Sequence, residues 1–202
     1  MVQPLYWVAG ALSWPLVALP FRLRSRGREN LPDGGFVLAA NHTSNLDPWP
    51  LGLPLWPKRQ LRFMAKRELF NPLLMPILYG GGAFPVRRGE GDLEAIETAV
   101  DLVRDGEIVV MFPEGTRRQK GLRKKHTARP HTGAARIALG AGAPLVPAAI
   151  KGTDRVSRLG PLRVAYGPPI PLDDLRDDDL ARASREATSR LLAAIDELER
   201  SL

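Results

Sequence analysis

Two residues that could act together as a general base lie five positions apart in the segment Asn41-His42-Thr43-Ser44-Asn45-Leu46-Asp47-Pro48. The Asp47 carboxylate could accept a proton from one ring nitrogen of His42 and fix its tautomer. The other nitrogen is then free to take a proton from a hydroxyl. Such a base typically contributes about 10²–10⁴-fold to a rate. Asp47 also precedes Pro48, so we expect it to cap a helix that begins there, and a purely capping role is the alternative interpretation.

A second polar segment, Phe112-Pro113-Glu114-Gly115-Thr116-Arg117, follows an apolar run. Glycine lets backbone amides approach a ligand closely, and the fork of an arginine suits a phosphate. An ordinary turn with a solvated charge pair has the same composition. By itself the segment therefore leaves both interpretations open.

Apolar runs typical of buried strands alternate along the chain with segments of helical spacing. We predict strands at 36–40, 61–65, 83–86, 108–112, 145–150 and 162–166, and helices from 48 and at 71–79, 92–103, 133–142 and 179–202. This alternation predicts an α/β fold with a mostly parallel central sheet flanked by helices. In such sheets ligands bind beyond the carboxyl ends of the strands, where His42, Lys66, Arg87 and Glu114 are all expected to lie.

The composition is that of a folded protein, with 202 residues, 44% hydrophobic and 25% charged. The chain has no cysteine, which excludes disulfides, thiolate metal sites and cysteine nucleophiles. The net charge of +7 favours anionic partners such as lipid headgroups, nucleic acid or an acidic carrier protein. The basic segment 117–129 lacks the aromatic residues that would stack on bases, so we expect no nucleic-acid partner.

Residues 1–21 contain no charged side chain, and we separate them from a single α/β domain at 22–202. About 20 apolar residues could span a bilayer, but Pro15 and Pro20 would interrupt the helix. The lack of a basic region before the apolar stretch argues against a signal peptide. Trp7 and Trp14 favour the membrane interface. We expect a short, bent helix in the headgroup region, with a single span or a core-packing helix as alternatives.

Arg22, Arg24, Arg26 and Arg28 alternate with less polar residues directly after this segment. A period of two predicts a strand with the four guanidinium groups on one face. Facing lipid phosphates, each could contribute about 1 kcal/mol to membrane binding. A solvated edge strand protected by charge is the alternative. We therefore expect a peripheral or monotopic protein on the cytoplasmic face of the cell membrane.

Four ordered blocks of the sequence resemble the glycerolipid acyltransferase family, in particular its bacterial 1-acylglycerol-3-phosphate members. The blocks are Asn-His-x4-Asp at 41–47, Gly-x-x-Phe-x-x-Arg at 81–87, Phe-Pro-Glu-Gly-Thr-Arg at 112–117 and Leu-Val-Pro at 145–147. The segment Ala65-Lys66-Arg67-Glu68-Leu69 is also similar to a family segment, and the resemblance covers about residues 25–170. Departures from the family pattern are Pro85-Val86 in the second block and His131-Thr132, where a cation is often expected.

The resemblance implies that His42 deprotonates an acceptor hydroxyl and that Asp47 orients His42. It implies substrate contacts, with Lys66 and Arg117 on a phosphate, for a set of eight residues. These are Asn41, Lys66, Arg87, Glu114, Gly115, Thr116, Arg117 and Pro147. The hydroxyl would attack the thioester of acyl-coenzyme A or acyl carrier protein directly, with no cofactor and no metal.

The reaction that this resemblance implies is the acylation of lysophosphatidic acid to phosphatidic acid. Acylation of another lysophospholipid or glycolipid is one alternative. A non-catalytic lipid-binding protein with the same fold is the other.

Overall fold

The computed structural model describes residues 3–86, 93–114 and 131–202. Within them the helices are α1 (Pro4–Ala18), α2 (Pro48–Gly52), α3 (Met75–Gly80), α4 (Leu93–Arg104), α5 (Gly133–Ala141) and α6 (Leu180–Arg200). The strands are β1 (Arg24–Arg26), β2 (Phe36–Ala40), β3 (Leu61–Lys66), β4 (Ala83–Val86), β5 (Ile108–Met111), β6 (Leu145–Lys151) and β7 (Arg163–Tyr166). Short 3₁₀ turns join several of them.

The strands form one sheet in the order β1-β7-β6-β2-β5-β3-β4. All neighbouring pairs run parallel except β6 and β7. β2 lies at the centre between β5 and β6, and all five of its residues are buried, as expected of a strand covered on both faces. The prediction of a mostly parallel sheet flanked by helices is confirmed. The carboxyl ends of β2, β3, β5 and β6 consequently meet at one edge.

Helices α4, α5 and α6 cover one face of the sheet. Buried residues of α6 recur at helical spacing as Ala183, Ala187, Leu191 and Ile195, which gives the helix one apolar side. The Asp179 carboxylate caps α6 by accepting hydrogen bonds from the backbone N–H groups of the second and third helical residues. Full burial of a side chain such as Leu191 contributes about 1.5–3 kcal/mol to stability.

The opposite face packs on α2 and on the segment that follows it. Phe36 and Leu38 from β2, together with Leu51 and Leu61, are fully buried there. The hydroxyl of Tyr166 donates to the carbonyl of Leu51 at 2.7 Å, which ties α2 to β7. Burial raises the pKa of Tyr166, so this phenol stays protonated and available as a donor.

Helix α1 lies against the domain by one narrow side. Gly10, Ser13 and Val17 are its buried residues, and Gly10 is so close to the indole of Trp56 that a Cβ atom would lie 2.2 Å from a ring carbon. The rest of the helix is largely exposed, although it carries no charge. Within the described residues, no helix combines the length and apolar character that crossing a bilayer requires. The division of the chain at residues 21 and 22 stays a prediction.

The arginine segment differs from the predicted continuous strand. Only Arg24–Arg26 are paired, on β7, because Arg22 has φ +45° and Gly27 has φ +77°, and Arg28 opens a 3₁₀ turn. The strand prediction for the flanking residues is therefore wrong. The alternation itself persists, because all four arginines are exposed and the residues between them are half-buried.

The helix predicted at 71–79 begins later, at Met75. Residues before it form a turn in which the Asn71 side chain accepts hydrogen bonds from the backbone N–H groups of Leu73 and Leu74 at 3.1 and 3.0 Å. An asparagine side chain offers the backbone this local alternative to a helix.

Candidate active site

The site segment starts where β2 ends, with Asn41 buried beside β6. Its side-chain amide donates to the carbonyl of Ile150 at 2.9 Å and accepts from the backbone N–H of Ile150 at 2.8 Å. These two bonds continue the link between β2 and β6 beyond the Ala40–Ala148 pair, from the next residue of β2 to the second residue further along β6. Asn41 thus fixes the point from which His42 projects. Its predicted contact with substrate stays a prediction.

His42 and Asp47 contact each other directly, with 2.8 Å between Nδ1 of the ring and Oδ2 of the carboxylate. The Asp47 side chain is fully buried, whereas 18% of the His42 side chain is exposed. Oδ2 also accepts from the backbone N–H groups of Thr43 at 2.7 Å and Ser44 at 2.8 Å. A backbone N–H can only donate, so Oδ2 acts as an acceptor. In the neutral ring, Nδ1 of His42 therefore carries the proton and Nε2 is the nitrogen that can accept one.

The pKa of Asp47 depends on two opposing effects. Burial alone would raise the pKa, because it disfavours the charged form. Hydrogen bonds from His42, from the Ser44 backbone, from the Thr153 hydroxyl and from the Thr43 backbone stabilise the carboxylate, and the net result is a lowered pKa. Asp47 is therefore ionised at neutral pH and can stabilise a protonated imidazole beside it.

The predicted capping role of Asp47 is wrong. Helix α2 does begin at Pro48, but the Asp47 side chain makes no bond to it. Pro48 and Pro50 have no N–H, and the N–H of Trp49 donates to the carbonyl of Leu46 at 3.0 Å. With no donor left in the first turn, the carboxylate points back to the 43–44 backbone and to His42.

An aromatic ring covers one face of the imidazole. Phe112 follows β5 directly, and its ring stacks on His42 with 4.2 Å between centroids and an angle of 20° between planes. A hydrogen bond at Nδ1 and a stacked ring together restrict both the rotation and the tilt of the imidazole. Sequence reasoning quoted Phe112 only as part of a motif and assigned it no role.

The other predicted substrate residues are placed only in part. Lys66 is the last residue of β3, at the same edge of the sheet. Glu114 is half-buried just after β5. Pro147 is buried within β6, opposite Ala39 of β2, and packs close to Gly167. Arg87, Gly115, Thr116 and Arg117 lie outside the described residues, as does the basic segment 117–129.

The site also includes Thr153, which sequence reasoning missed. Its hydroxyl donates to Oδ1 of Asp47 at 2.5 Å from a turn that follows β6. The available signal was a glycine and a polar residue shortly after a predicted strand, at the edge where His42 was already expected. In the part of the chain that the structure describes, no cluster of three or more His, Asp or Glu side chains could hold a metal ion.

Comparison with known proteins adds the reaction class to this geometry. Residues 22–151, a range that contains all four sequence blocks, match the model of the acyltransferase family. The chain belongs to the acyltransferase family. This acyltransferase is 36% identical to the 1-acyl-sn-glycerol-3-phosphate acyltransferase of Bacillus subtilis over 180 residues, which are 87% of each chain.

More distant relatives show the same similarity. A chloroplastic 1-acyl-sn-glycerol-3-phosphate acyltransferase of Brassica napus is 31% identical to this acyltransferase over 140 residues, which are 67% of this chain and 39% of the relative. The crystal structure of the 1-acyl-sn-glycerophosphate acyltransferase PlsC from Thermotoga maritima superposes with a TM-score of 0.60 at 25% identity. That superposition covers 86% of this chain and 70% of the other. The predicted family and the predicted enzyme class are both confirmed.

Proposed function

We propose that this acyltransferase transfers a fatty acyl chain from a thioester to the free hydroxyl of lysophosphatidic acid and so forms phosphatidic acid. The observation that carries the proposal is the 2.8 Å contact between His42 and the buried Asp47, which occupies Nδ1 and leaves Nε2 of a partly exposed imidazole as the nitrogen that can accept a proton. The names of the relatives from Bacillus subtilis and Brassica napus support lysophosphatidic acid as the acceptor.

The chemistry follows from the state of the imidazole. Nε2 of His42 takes the proton of the acceptor hydroxyl as its oxygen attacks the thioester carbonyl carbon. The tetrahedral intermediate then collapses, the carbon–sulfur bond breaks, and the leaving thiolate takes the proton from Nε2. The Asp47 carboxylate stabilises the imidazolium that exists between these two proton transfers. The acyl group moves directly to the acceptor, so the step requires no acyl-enzyme, cofactor or metal.

We choose the residues that bind the acceptor's phosphate by their positive charge. Under the proposal Lys66, at the end of β3, and Arg117, after β5, bind the phosphate, and Arg87 and Glu114 shape the surrounding acceptor site. Parallel strands that end together would bring these residues to the edge that holds His42. Acyl-coenzyme A or acyl carrier protein is the acyl donor.

A broad apolar surface gives the enzyme a way to reach a lipid substrate. Helices α1 and α3 pack together, with the Leu5 side chain against Gly80. The outer sides of these helices and the turn before α3, which together we call the α1–α3 surface, leave large apolar residues in water: Leu5, Trp7, Val8, Leu12, Trp14, Leu16, Leu73, Leu74, Met75, Ile77 and Tyr79. Leu16 is 71% exposed and Leu73 is 82% exposed. Apolar patches of this kind mark interaction sites.

We propose that the α1–α3 surface lies in the headgroup region of the cytoplasmic leaflet, with Trp7 and Trp14 at the interface. The exposed side chains of Arg22, Arg24, Arg26 and Arg28 would add attraction to anionic lipids of about 1 kcal/mol each. A lysophospholipid could then enter the site from the bilayer in which it is dissolved.

The proposed function is tested by product analysis with the purified enzyme on lipid vesicles. Lysophosphatidic acid is compared with lysophosphatidylcholine, lysophosphatidylglycerol and a glycolipid acceptor, each with acyl-coenzyme A and with acyl carrier protein. We expect phosphatidic acid as the preferred product. Equal rates for acceptors without a phosphomonoester would refute the acceptor assignment, and vesicle binding without any acyl transfer would indicate a non-catalytic lipid-binding protein.

A further inference from the structure

The Asp47 carboxylate is held on its far side by a residue that is distant in sequence. The hydroxyl of Thr153, which is only 4% exposed, lies 2.5 Å from Oδ1 of Asp47. Oδ2, the oxygen that contacts His42, is bound by backbone N–H groups from residues three and four positions earlier in the chain. Among the residues that the structure describes, Thr153 therefore supplies the one strong bond to this carboxylate that comes from a different element of the fold.

The hydrogens of the two threonine hydroxyls can be assigned. The Thr153 hydroxyl has a single hydrogen, which the 2.5 Å contact directs to Oδ1 of Asp47. The Thr43 hydroxyl lies 2.8 Å from the Thr153 oxygen and 3.3 Å from Oδ1, so its hydrogen is better placed toward Thr153. The chain of donors then runs from Thr43 through Thr153 to Asp47. Each bond in such a chain polarises and strengthens the next.

The backbone places Thr153 with little freedom. Gly152, the residue before it, has φ +101°, which residues with a side chain rarely adopt. A Cβ atom at this position would also lie 2.3 Å from the carbonyl oxygen of Pro161. The sharp turn after β6 therefore needs glycine, and it carries Thr153 from the end of the strand to the carboxylate.

We propose that Thr153 is a positioning residue that holds the Asp47 carboxylate in the plane required to keep His42 as the Nδ1-protonated tautomer. The catalytic consequence rests on the proposed function, in which Nε2 of His42 is the base. Without the hydroxyl, Oδ1 loses the 2.5 Å bond from Thr153, and the carboxylate rotates away from the geometry that aligns it with Nδ1.

The test compares three variants. Thr153→Val keeps the shape of the side chain and removes the donor, and Thr153→Ser keeps the donor. Thr188→Val is the matched control, because Thr188 is also 4% exposed and its hydroxyl donates at 2.7 Å to the backbone carbonyl of Ser184, a residue of α6. If thermal melting shows that Thr153→Val does not fold, Thr153→Ala removes the same hydroxyl without placing a methyl group beside the carboxylate.

The first readout is the tautomer of His42 by ¹⁵N NMR of histidine-labelled protein. The chain has three histidines, and His42→Gln assigns the signal. We expect wild type, Thr153→Ser and Thr188→Val to show an Nδ1-protonated ring, and Thr153→Val to show a mixture of tautomers. A purely structural role for Thr153 would lower stability without changing this signal.

The second readout is the kinetics of acyl transfer. A misplaced base costs about 10- to 100-fold in rate, so we expect a loss of that size in kcat for Thr153→Val, with KM for the acceptor changed by less than about twofold. Thr153→Ser should restore most of the rate. A pure Nδ1-protonated signal in Thr153→Val, or a kcat equal to that of Thr188→Val, would overturn the proposal.

The two readouts separate this proposal from the proposed function. If wild type does not acylate lysophosphatidic acid but the tautomer responds as expected, the positioning role stands and the substrate assignment fails. If wild type is active and the tautomer is unchanged in Thr153→Val, the positioning role fails and the function stands.

Discussion

Replacing Asp47 by asparagine removes a buried charge from the site while preserving the shape of the side chain. The two backbone N–H groups at Thr43 and Ser44 require an acceptor, so the amide oxygen should take the position of Oδ2. The amide nitrogen then faces the Thr153 oxygen, which can accept a hydrogen bond in place of donating one. The variant should therefore fold and should keep Nδ1 of His42 protonated, and the carboxylate charge is what it loses.

The magnitude of this effect follows from Coulomb attraction. The His42–Asp47 contact of 2.8 Å places the centres of the imidazolium and carboxylate charges about 4 Å apart. At an effective dielectric constant of about 20 this attraction is worth about 4 kcal/mol. A loss of that size from the imidazolium-like transition state corresponds to a fall of about 10³-fold in kcat.

The assay is initial-rate formation of phosphatidic acid by wild type, Asp47→Asn, His42→Ala and the double variant. If Asp47 acts through His42, the double variant should be no slower than His42→Ala, since residues that act as a unit are not additive. An Asp47→Asn rate within about fivefold of wild type would refute the electrostatic reasoning. A fully additive double variant would show that Asp47 acts independently of His42.

Three further predictions concern stability and membrane binding. Because the folded-state pKa of Asp47 is lowered, its ionisation stabilises the fold above the unfolded value of about 3.9. The stability difference between wild type and Asp47→Asn in urea should therefore be full at neutral pH and shrink as pH falls through the lower folded-state value. A stability difference between the two proteins that grew as the pH fell would contradict a lowered pKa of Asp47 in the folded state. Gly152→Ala should cost at least about 2 kcal/mol through its positive φ and its contact with a backbone carbonyl, or about 4–8 °C in Tm. An unchanged melting curve would contradict this. Replacing exposed Leu12 and Leu16 by glutamate should weaken binding to phosphatidylglycerol vesicles by at least about tenfold, since burying one leucine is worth about 1.5–3 kcal/mol. Leu180→Glu, at an exposed leucine of α6, should bind vesicles as wild type does.

The fold was predictable because the central strands are buried on both faces. A strand such as β2 is a run of apolar residues, and the breaks between such runs are marked by glycine, proline and charge. The arginine segment was harder, because a period of two in polarity sets the exposure of side chains but does not fix the backbone. The positive φ angles of Arg22 and Gly27 end the pairing on each side of β1.

The contact between His42 and Asp47 could be predicted because their spacing is local. His42 and Asp47 meet across one turn, and the residue types needed for a base occur within a few positions. The capping error could have been avoided from sequence alone, since prolines at the first and third helical positions remove donors that a cap would bind. Thr153 lies 106 residues beyond Asp47, and only the sheet order, with β6 beside β2, brings them together.

The central claim is that Nε2 of His42 is the base for acyl transfer to lysophosphatidic acid. The most direct measurement is the rate of phosphatidic acid formation by purified His42→Ala beside wild type, with equal vesicle binding and equal Tm as evidence of an intact fold. We predict a loss of at least about 10³-fold, within the range that a general base contributes. Turnover by His42→Ala at a rate close to that of wild type would contradict the account.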